Sequence, residues 1–211
     1  MPKPRYEDDN AIEIGVDEAG RGPLFGRVYT AAVILPKDGF DHDLVKDSKK
    51  FTSEKKINQV AEYIKKNATS WAVAYEDEKS IDKLNIRQAT LKAMHTAIKS
   101  LSPNSDTRLL IDGNDFKPMM MMSNGIYKQI NHVCIEGGDN TYSAISAASI
   151  LAKVSRDAYI EELCTDNPEL SERYGINKNK GYGTKKHIDG IKEYGITPWH
   201  RKSYGICKQY K

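Results

Sequence analysis

Residues 12–24 read IEIGVDEAGRGPL. Ile12, Ile14 and Val16 alternate with Glu13, Gly15 and Asp17, the period-two pattern of a strand with two different faces. Asp17 therefore starts on the face opposite to the apolar set, and its neighbour Glu18 starts on the wrong side to join it. The two carboxylates can serve one centre only if the strand ends or twists sharply at Ala19 and Gly20. Beyond the doublet, Gly-Arg-Gly-Pro lets the backbone approach a ligand closely and adds a guanidinium. It is neither a Walker A loop nor G-x-G-x-x-G before a helix, and a lone G-R-G is more often simply a turn.

The pattern continues outward from this stretch. Residues 28–36 (VYTAAVILP) form a second apolar run close enough to pair with the first. The helical spacing of 52–67 opens with Thr52 or Ser53 as N-cap. Residues 69–77 read as a third strand and 80–101 as one long helix. The segments 107–115 (TRLLIDGND) and 131–140 (NHVCIEGGDN) are short strands running into glycine, and the helix from Thr141 to Cys164 opens on Ala and Ser. Small residues allow a helix to lie close against a sheet. From Pro168 onward, short helices and loops replace strands. This order predicts a mixed sheet with helices packed on it. The four methionines 119–122 are expected in a loop or capping the core.

The 211 residues suit one good-sized domain, and 39% hydrophobic content supplies a core. No apolar run is long enough for a membrane span, and residues 1–10 lack the apolar stretch of a signal peptide and are expected as a disordered lead-in. Three scattered cysteines fit neither a disulfide framework nor a zinc site. These features point to the cytoplasm. The net charge of +3 conceals an asymmetry. Residues 171–211 hold ten Lys/Arg against three acids, leaving −4 for the first 170. Six aromatic residues interleave with that basic end, as on a polyanion-binding surface, although a solvated tail around core aromatics fits the composition equally well.

Three strand ends share one character: Asp17–Glu18, Asp112 and Asp139 each stand where an apolar run meets glycine. Acids near turns are common, so any one of these is unremarkable alone. Three junctions whose strand ends converge suggest a shared site. Four carboxylates cannot crowd together ionised without compensation. Hard divalent cations such as Mg²⁺ or Mn²⁺ supply it through oxygen ligands. Lys49 and Lys50 (DSKKF) are candidate phosphate contacts, and Tyr182, bracketed by glycine and lysines (NKGYGTKKH), offers a ring on which a nucleotide can stack.

Taken in order, GVDEAGRGPLFG, DSKKF, LLIDGN, GGD…ISAASILAKVSRD and KGYGTKKH resemble type 2 ribonuclease H (ribonuclease HII) over about residues 12–205. The resemblance implies a ribonuclease H-like fold, a five-stranded mixed sheet flanked by helices over residues 11–166, with a basic helical extension over 167–211 that helps bind substrate. It implies cleavage of the RNA strand of RNA–DNA hybrids and incision of duplex DNA at embedded ribonucleotides, with two Mg²⁺ or Mn²⁺ ions. The acid quartet maps to Asp17, Glu18, Asp112 and Asp139. Gly20, Arg21 and Gly22 map to the loop that contacts the ribose 2′-hydroxyl, and Tyr182 to a junction-sensing tyrosine. Arg21 and the short N-terminus favour type 2 over type 3, whose loop usually carries Gly-Lys-Gly. A type 3 enzyme, a resolvase-like endonuclease and a non-catalytic nucleic-acid-binding protein remain as alternatives. Phe51 replaces a usual leucine, and residues 117–133 do not align with the family. No terminal motif for docking a sliding clamp is found, and a monomer is expected.

Overall fold

The computed structural model describes residues 2–45, 53–123 and 125–210. Strands β1 (Ile12–Ala19), β2 (Val28–Ile34), β3 (Ser70–Glu76), β4 (Thr107–Asp112) and β7 (Asn131–Ile135) form one sheet in the order β3-β2-β1-β4-β7. β1/β2 and β2/β3 are antiparallel, and β1/β4 and β4/β7 are parallel, so the sheet is mixed. Parallel pairs need crossover connections. Helices α2 (Glu78–Leu84) and α3 (Ile86–Ser100) occupy the long connection from β3 to β4.

The alternation in β1 assigns its faces. Ile14 and Val16 join Leu109, Ile111 and the α3 residues Leu91, Met94 and Ile98 in one core cluster. On the opposite face, Ala31 and Val33 pack against α1 (Glu54–Asn67) and α5 (Ser143–Asp166). A Cβ added to Gly15 would lie 2.1 Å from the backbone carbon of Ala144, so α5 crosses β1 at a distance only glycine permits. The Ala/Ser opening of α5 and Gly15 are two sides of one contact.

A third cluster joins Tyr29 of β2 and Tyr159 and Ile160 of α5 to Leu170, Tyr174, Ile176, Ile191 and Cys207. These last residues come from α6 (Glu169–Tyr174), α7 (Ile176–Asn179), α8 (Lys185–Tyr194) and a closing 3₁₀ turn, Gly205–Gln209. The basic extension is thus helical and shares its core with the sheet domain.

Three local expectations are corrected. The long helix over 80–101 is two helices, because Asn85 takes φ +69° and its side chain accepts from the Gln88 N–H at 3.1 Å. Asparagine tolerates positive φ and is a good N-cap, so it ends one helix and begins the next. The methionine run does cap the core, one of its two expected places, but in a hairpin rather than a loop. It starts a two-stranded hairpin, β5 (Met120–Ser123) with β6 (Ile126–Gln129). Met119 and Met121 pack on the α3-side core while Met120 and Met122 are exposed.

The lead-in, expected as disordered, is pinned by several bonds. Lys3 N–H donates to Thr141 O at 2.7 Å and Lys3 O accepts from Ser143 N–H at 2.9 Å. The Tyr6 and Glu7 amides donate to the buried Glu13 carboxylate, which also pairs with Arg108 at 3.5 Å. An acid on the buried face of β1 is thereby satisfied by a segment that composition alone marks as unstructured.

Candidate active site

β1 and β4 lie side by side and parallel, with Val16 level with Ile111. Their carboxyl ends therefore bring Asp17, Glu18 and Asp112 into one cleft of about 450 Å³, where Gly20, Ser149, Lys153, Arg156, Lys178, Lys180 and Tyr182 also line the wall. Asp17 is 5% exposed. Burial pushes its carboxyl well above the usual carboxylate range, and the charges of Glu18 and then Asp112 push it further. The Ser149 hydroxyl and the Glu18 N–H, 2.6 Å from Asp17 Oδ1, oppose that rise without cancelling it.

Glu18 turns to the same cleft. β1 continues through Ala19, and Gly20 at φ +93° then redirects the chain, a conformation L side chains rarely adopt. A Cβ at Gly20 would also meet the Arg156 side chain at 2.2 Å. Glu18 is partly buried and pairs with Arg21 at 3.3 Å, while the Arg21 side chain is 52% exposed.

Asp139 stands one step behind. It is 3% exposed and precedes the long helix α5, as expected, but itself lies inside a further four-residue helix, α4 (Gly138–Thr141). Its amide approaches Asp112 Oδ1 at 3.4 Å, and its own Oδ1 accepts from Asn140 Nδ2 at 2.9 Å. The four acids are thus neighbours, three lining the cleft and the fourth linked through Asp112. Among the described residues, no three His, Cys, Asp or Glu side chains are gathered closely enough to hold an ion as they lie. The donor set nonetheless fits a hard divalent cation: every candidate ligand is a carboxylate oxygen, and burial, then the charges of Glu18 and Asp112, disfavour the ionised Asp17 that a cation would stabilise.

Tyr182 is 52% exposed at the cleft mouth, and a Cβ at Gly22 would stand 3.4 Å from its ring. The Gly-Arg-Gly loop and the tyrosine loop are therefore adjacent. Lys49 and Lys50 lie outside the described residues.

The residues holding this loop do not stand out in the sequence. Arg201 is fully buried and donates to the carbonyls of Gly20 (2.6 Å), Arg21 (3.0 Å), Pro23 (2.8 Å), Gly26 (2.8 Å) and Arg27 (3.2 Å). Arg156, 3% exposed, donates to Phe25, Arg27 and Lys180 carbonyls. Both read in sequence as ordinary basic residues. Ser149 reads as a packing residue of α5, yet its hydroxyl reaches Asp17.

Comparison with known proteins follows the same outline. The model of the family "Ribonuclease HII" matches residues 14–207. Ribonuclease HII of Bacteroides thetaiotaomicron is 46% identical over 201 residues, covering 95% of this chain and 93% of that protein. Ribonuclease HII of Parabacteroides distasonis is 45% identical over 204 residues, covering 97% and 95%. Among solved structures, ribonuclease H2 from Pyrococcus horikoshii OT3 superposes with TM-score 0.73 at 22% identity, covering 94% of this chain and 96% of that one. The ribonuclease HII of Archaeoglobus fulgidus, solved in complex with PCNA, superposes with TM-score 0.70 at 23% identity, covering 92% and 96%. At those identities the superpositions speak for the fold. Among the described residues, no helix is long and apolar enough to cross a membrane. With the family model spanning nearly the whole chain and close relatives matching end to end, the chain belongs to the ribonuclease HII family and is an endoribonuclease.

Proposed function

We propose that the protein cleaves the RNA strand of RNA–DNA hybrids and incises duplex DNA on the 5′ side of an embedded ribonucleotide, leaving 3′-hydroxyl and 5′-phosphate ends. The observation that carries this reading is the shared cleft, where Asp17, Glu18 and Asp112 meet a half-exposed tyrosine and three lysines. Asp17, Glu18, Asp112 and Asp139 would hold two Mg²⁺ or Mn²⁺ ions, whose chemistry is to acidify an attacking water and stabilise the departing 3′-oxygen. Bst-RNase HIII, a neighbour in fold at TM-score 0.60, was solved in complex with Mn²⁺, which is in keeping with use of a divalent ion.

The chain's own groups define where the strand lies. Arg201 donates to the Gly20 and Arg21 carbonyls and so fixes the Gly-Arg-Gly loop at the edge of the cleft, where its backbone and Arg21 would meet a 2′-hydroxyl and the adjoining phosphate. Lys153, Lys178 and Lys180 give the rim positive charge for the flanking backbone. Lys153 is paired with Asp157 at 2.7 Å and Lys180 with Glu161 at 2.9 Å, so Lys178 is the rim lysine whose charge is least offset by these pairs. Tyr182 beside Gly22 offers its ring to the sugar or base next to the cut.

The test is Asp112→Asn on a duplex carrying one ribonucleotide, with the cut position mapped in Mg²⁺ and in Mn²⁺. Cleavage is expected to fall by roughly 10³-fold or more, with duplex binding and the melting temperature retained. Undiminished cleavage by the variant, or wild-type cuts on the 3′ side of the ribonucleotide, would sink the reading.

A further inference from the structure

The ring of Tyr182 is half exposed, but its main chain is held from inside the protein. The Tyr182 carbonyl accepts from the Thr184 N–H at 2.8 Å and lies 3.0 Å from His187 Nδ1. His187 Nε2 lies 3.0 Å from His200 Nε2. His200 Nδ1 in turn receives the Thr197 N–H at 2.9 Å, with the Thr197 hydroxyl at 2.8 Å. Both imidazoles are buried, at 0% and 1% exposure, against the rings of Phe25 and Tyr174.

The two ends of this chain fix where its protons are. A carbonyl can only accept, so His187 Nδ1 carries a hydrogen. A backbone N–H can only donate, so His200 Nδ1 is bare. A neutral imidazole has one N–H. His200 therefore donates from Nε2, and His187 accepts at its bare Nε2. Each end demands the same polarity independently of the other. Protonating His187 would set two N–H groups face to face between the rings, and protonating His200 would do so against Thr197.

We propose that His187 and His200 are positioning residues, a neutral hydrogen-bonded relay that fixes the Tyr182 main chain and so the aim of its ring beside Gly22. Through it the 197–201 segment, which also carries the loop-clamping Arg201, is coupled to the tyrosine loop. One segment thus holds both substrate-facing loops in register. The role assigned to the ring rests on the function proposed above. Burial supports neutrality: it pulls His200 down to about 3, His187 adding to the effect, and lowers His187 as well. Charged groups near the pair are Arg201 beside His200, Lys186 beside His187, and Glu78, Lys79, Asp82 and Lys202, which share a surface cavity with His200.

Nitrogen-15 spectra of the full chain, labelled at histidine, test the relay directly. Signals are assigned by their loss in His187→Asn. One ring is expected protonated only at Nδ1 and the other only at Nε2, unchanged between pH 7 and 5. The reverse tautomers, or a charged ring at pH 6, overturn the proposal. Kinetics test positioning. His187→Asn restores an amide donor where Nδ1 stood, whereas His187→Gln reaches toward His200 and leaves the Tyr182 carbonyl without that donor. On a single-ribonucleotide duplex, kcat/KM is expected to fall about tenfold for Gln and less than about threefold for Asn, the scale of one hydrogen bond. Long hybrids should be affected less. Equal losses in two variants of matched melting temperature overturn positioning. If Gln fails to fold, the wild-type spectra decide. Tyr182→Ala is run alongside: no effect on either substrate defeats the ring's assigned role, while the tautomer pattern still judges the relay.

Discussion

Asp17 and Arg201 are both ionisable and almost entirely enclosed, at 5% and 0% exposure, yet the walls they belong to are built in opposite ways. The strand-end wall places Asp17 against Glu18 and Asp112, and burial and like charge both work against its ionised form. The C-terminal wall surrounds Arg201 with five carbonyl oxygens, so its charge is bonded in every direction that matters. Burial lowers Arg201 only to about 10, which keeps it cationic at neutral pH. A buried acid whose ionised form is disfavoured, set against a saturated arginine, separates a site suited to an outside charge from one that has its charges built in. Under the proposed function the first wall is where chemistry would occur, while the second holds the loop in shape.

The sharpest way to break this contrast is Asp17→Asn. Cleavage is expected to fall by at least about 10³-fold, because the variant removes the most central carboxylate. Stability should move the other way. The folded pKa of Asp17 is raised above its ordinary 3.8. Its contribution is therefore lost as pH rises from that value toward the folded pKa, and the cost persists at pH 7. Metal-free Asp17→Asn should melt higher than metal-free wild type at pH 7, at roughly 2–4 °C per kcal/mol for a chain of this length. The difference should vanish near pH 4. An inactive variant that melts lower at pH 7 would show that Asp17 is a structural acid.

The C-terminal wall predicts the reverse pairing. Arg201→Met should cost on the order of 3–5 kcal/mol, since several buried carbonyls lose a charged donor at once. Arg21→Met on the same loop, where the side chain is exposed and pairs with Glu18, should change stability by less than about 1 kcal/mol while impairing cleavage. Differential scanning calorimetry of the two variants settles the matter. Similar melting temperatures would mean that the carbonyl cage does not hold the loop.

The same contrast explains what can be read from sequence. Asp17, Glu18, Asp112 and Asp139 are legible because each follows an apolar strand into glycine, a local pattern, and the parallel pairing of β1 and β4 does the rest. The five-stranded mixed sheet is legible for the same reason, each strand being a periodic run. Arg201 and the His187–His200 pair are not, because their partners lie far along the chain or are backbone carbonyls with no side-chain signature. In a segment with ten basic residues they look like surface charge. The Met120–Gln129 hairpin escapes notice for another cause: four identical residues have no alternation to read, although alternate methionines face core and solvent. The Asn85 break is hidden because apolar spacing continues across it.

Tyr182→Ala should have the smallest effect and separates the two walls most finely. The ring is half exposed and touches the cleft only at its mouth, so its loss should leave the melting temperature within about 2 °C, as for a typical surface substitution. Cleavage of a long hybrid offers many equivalent registers and should fall only about threefold or less. A single embedded ribonucleotide offers one register, and losing a stacking face worth about 1–3 kcal/mol should lower kcat/KM there by roughly 10- to 100-fold. Measured with both substrates in one buffer, unequal losses assign the C-terminal wall a part in choosing the cut site. Equal losses would confine that wall to holding the loop and leave selection to the Gly-Arg-Gly backbone.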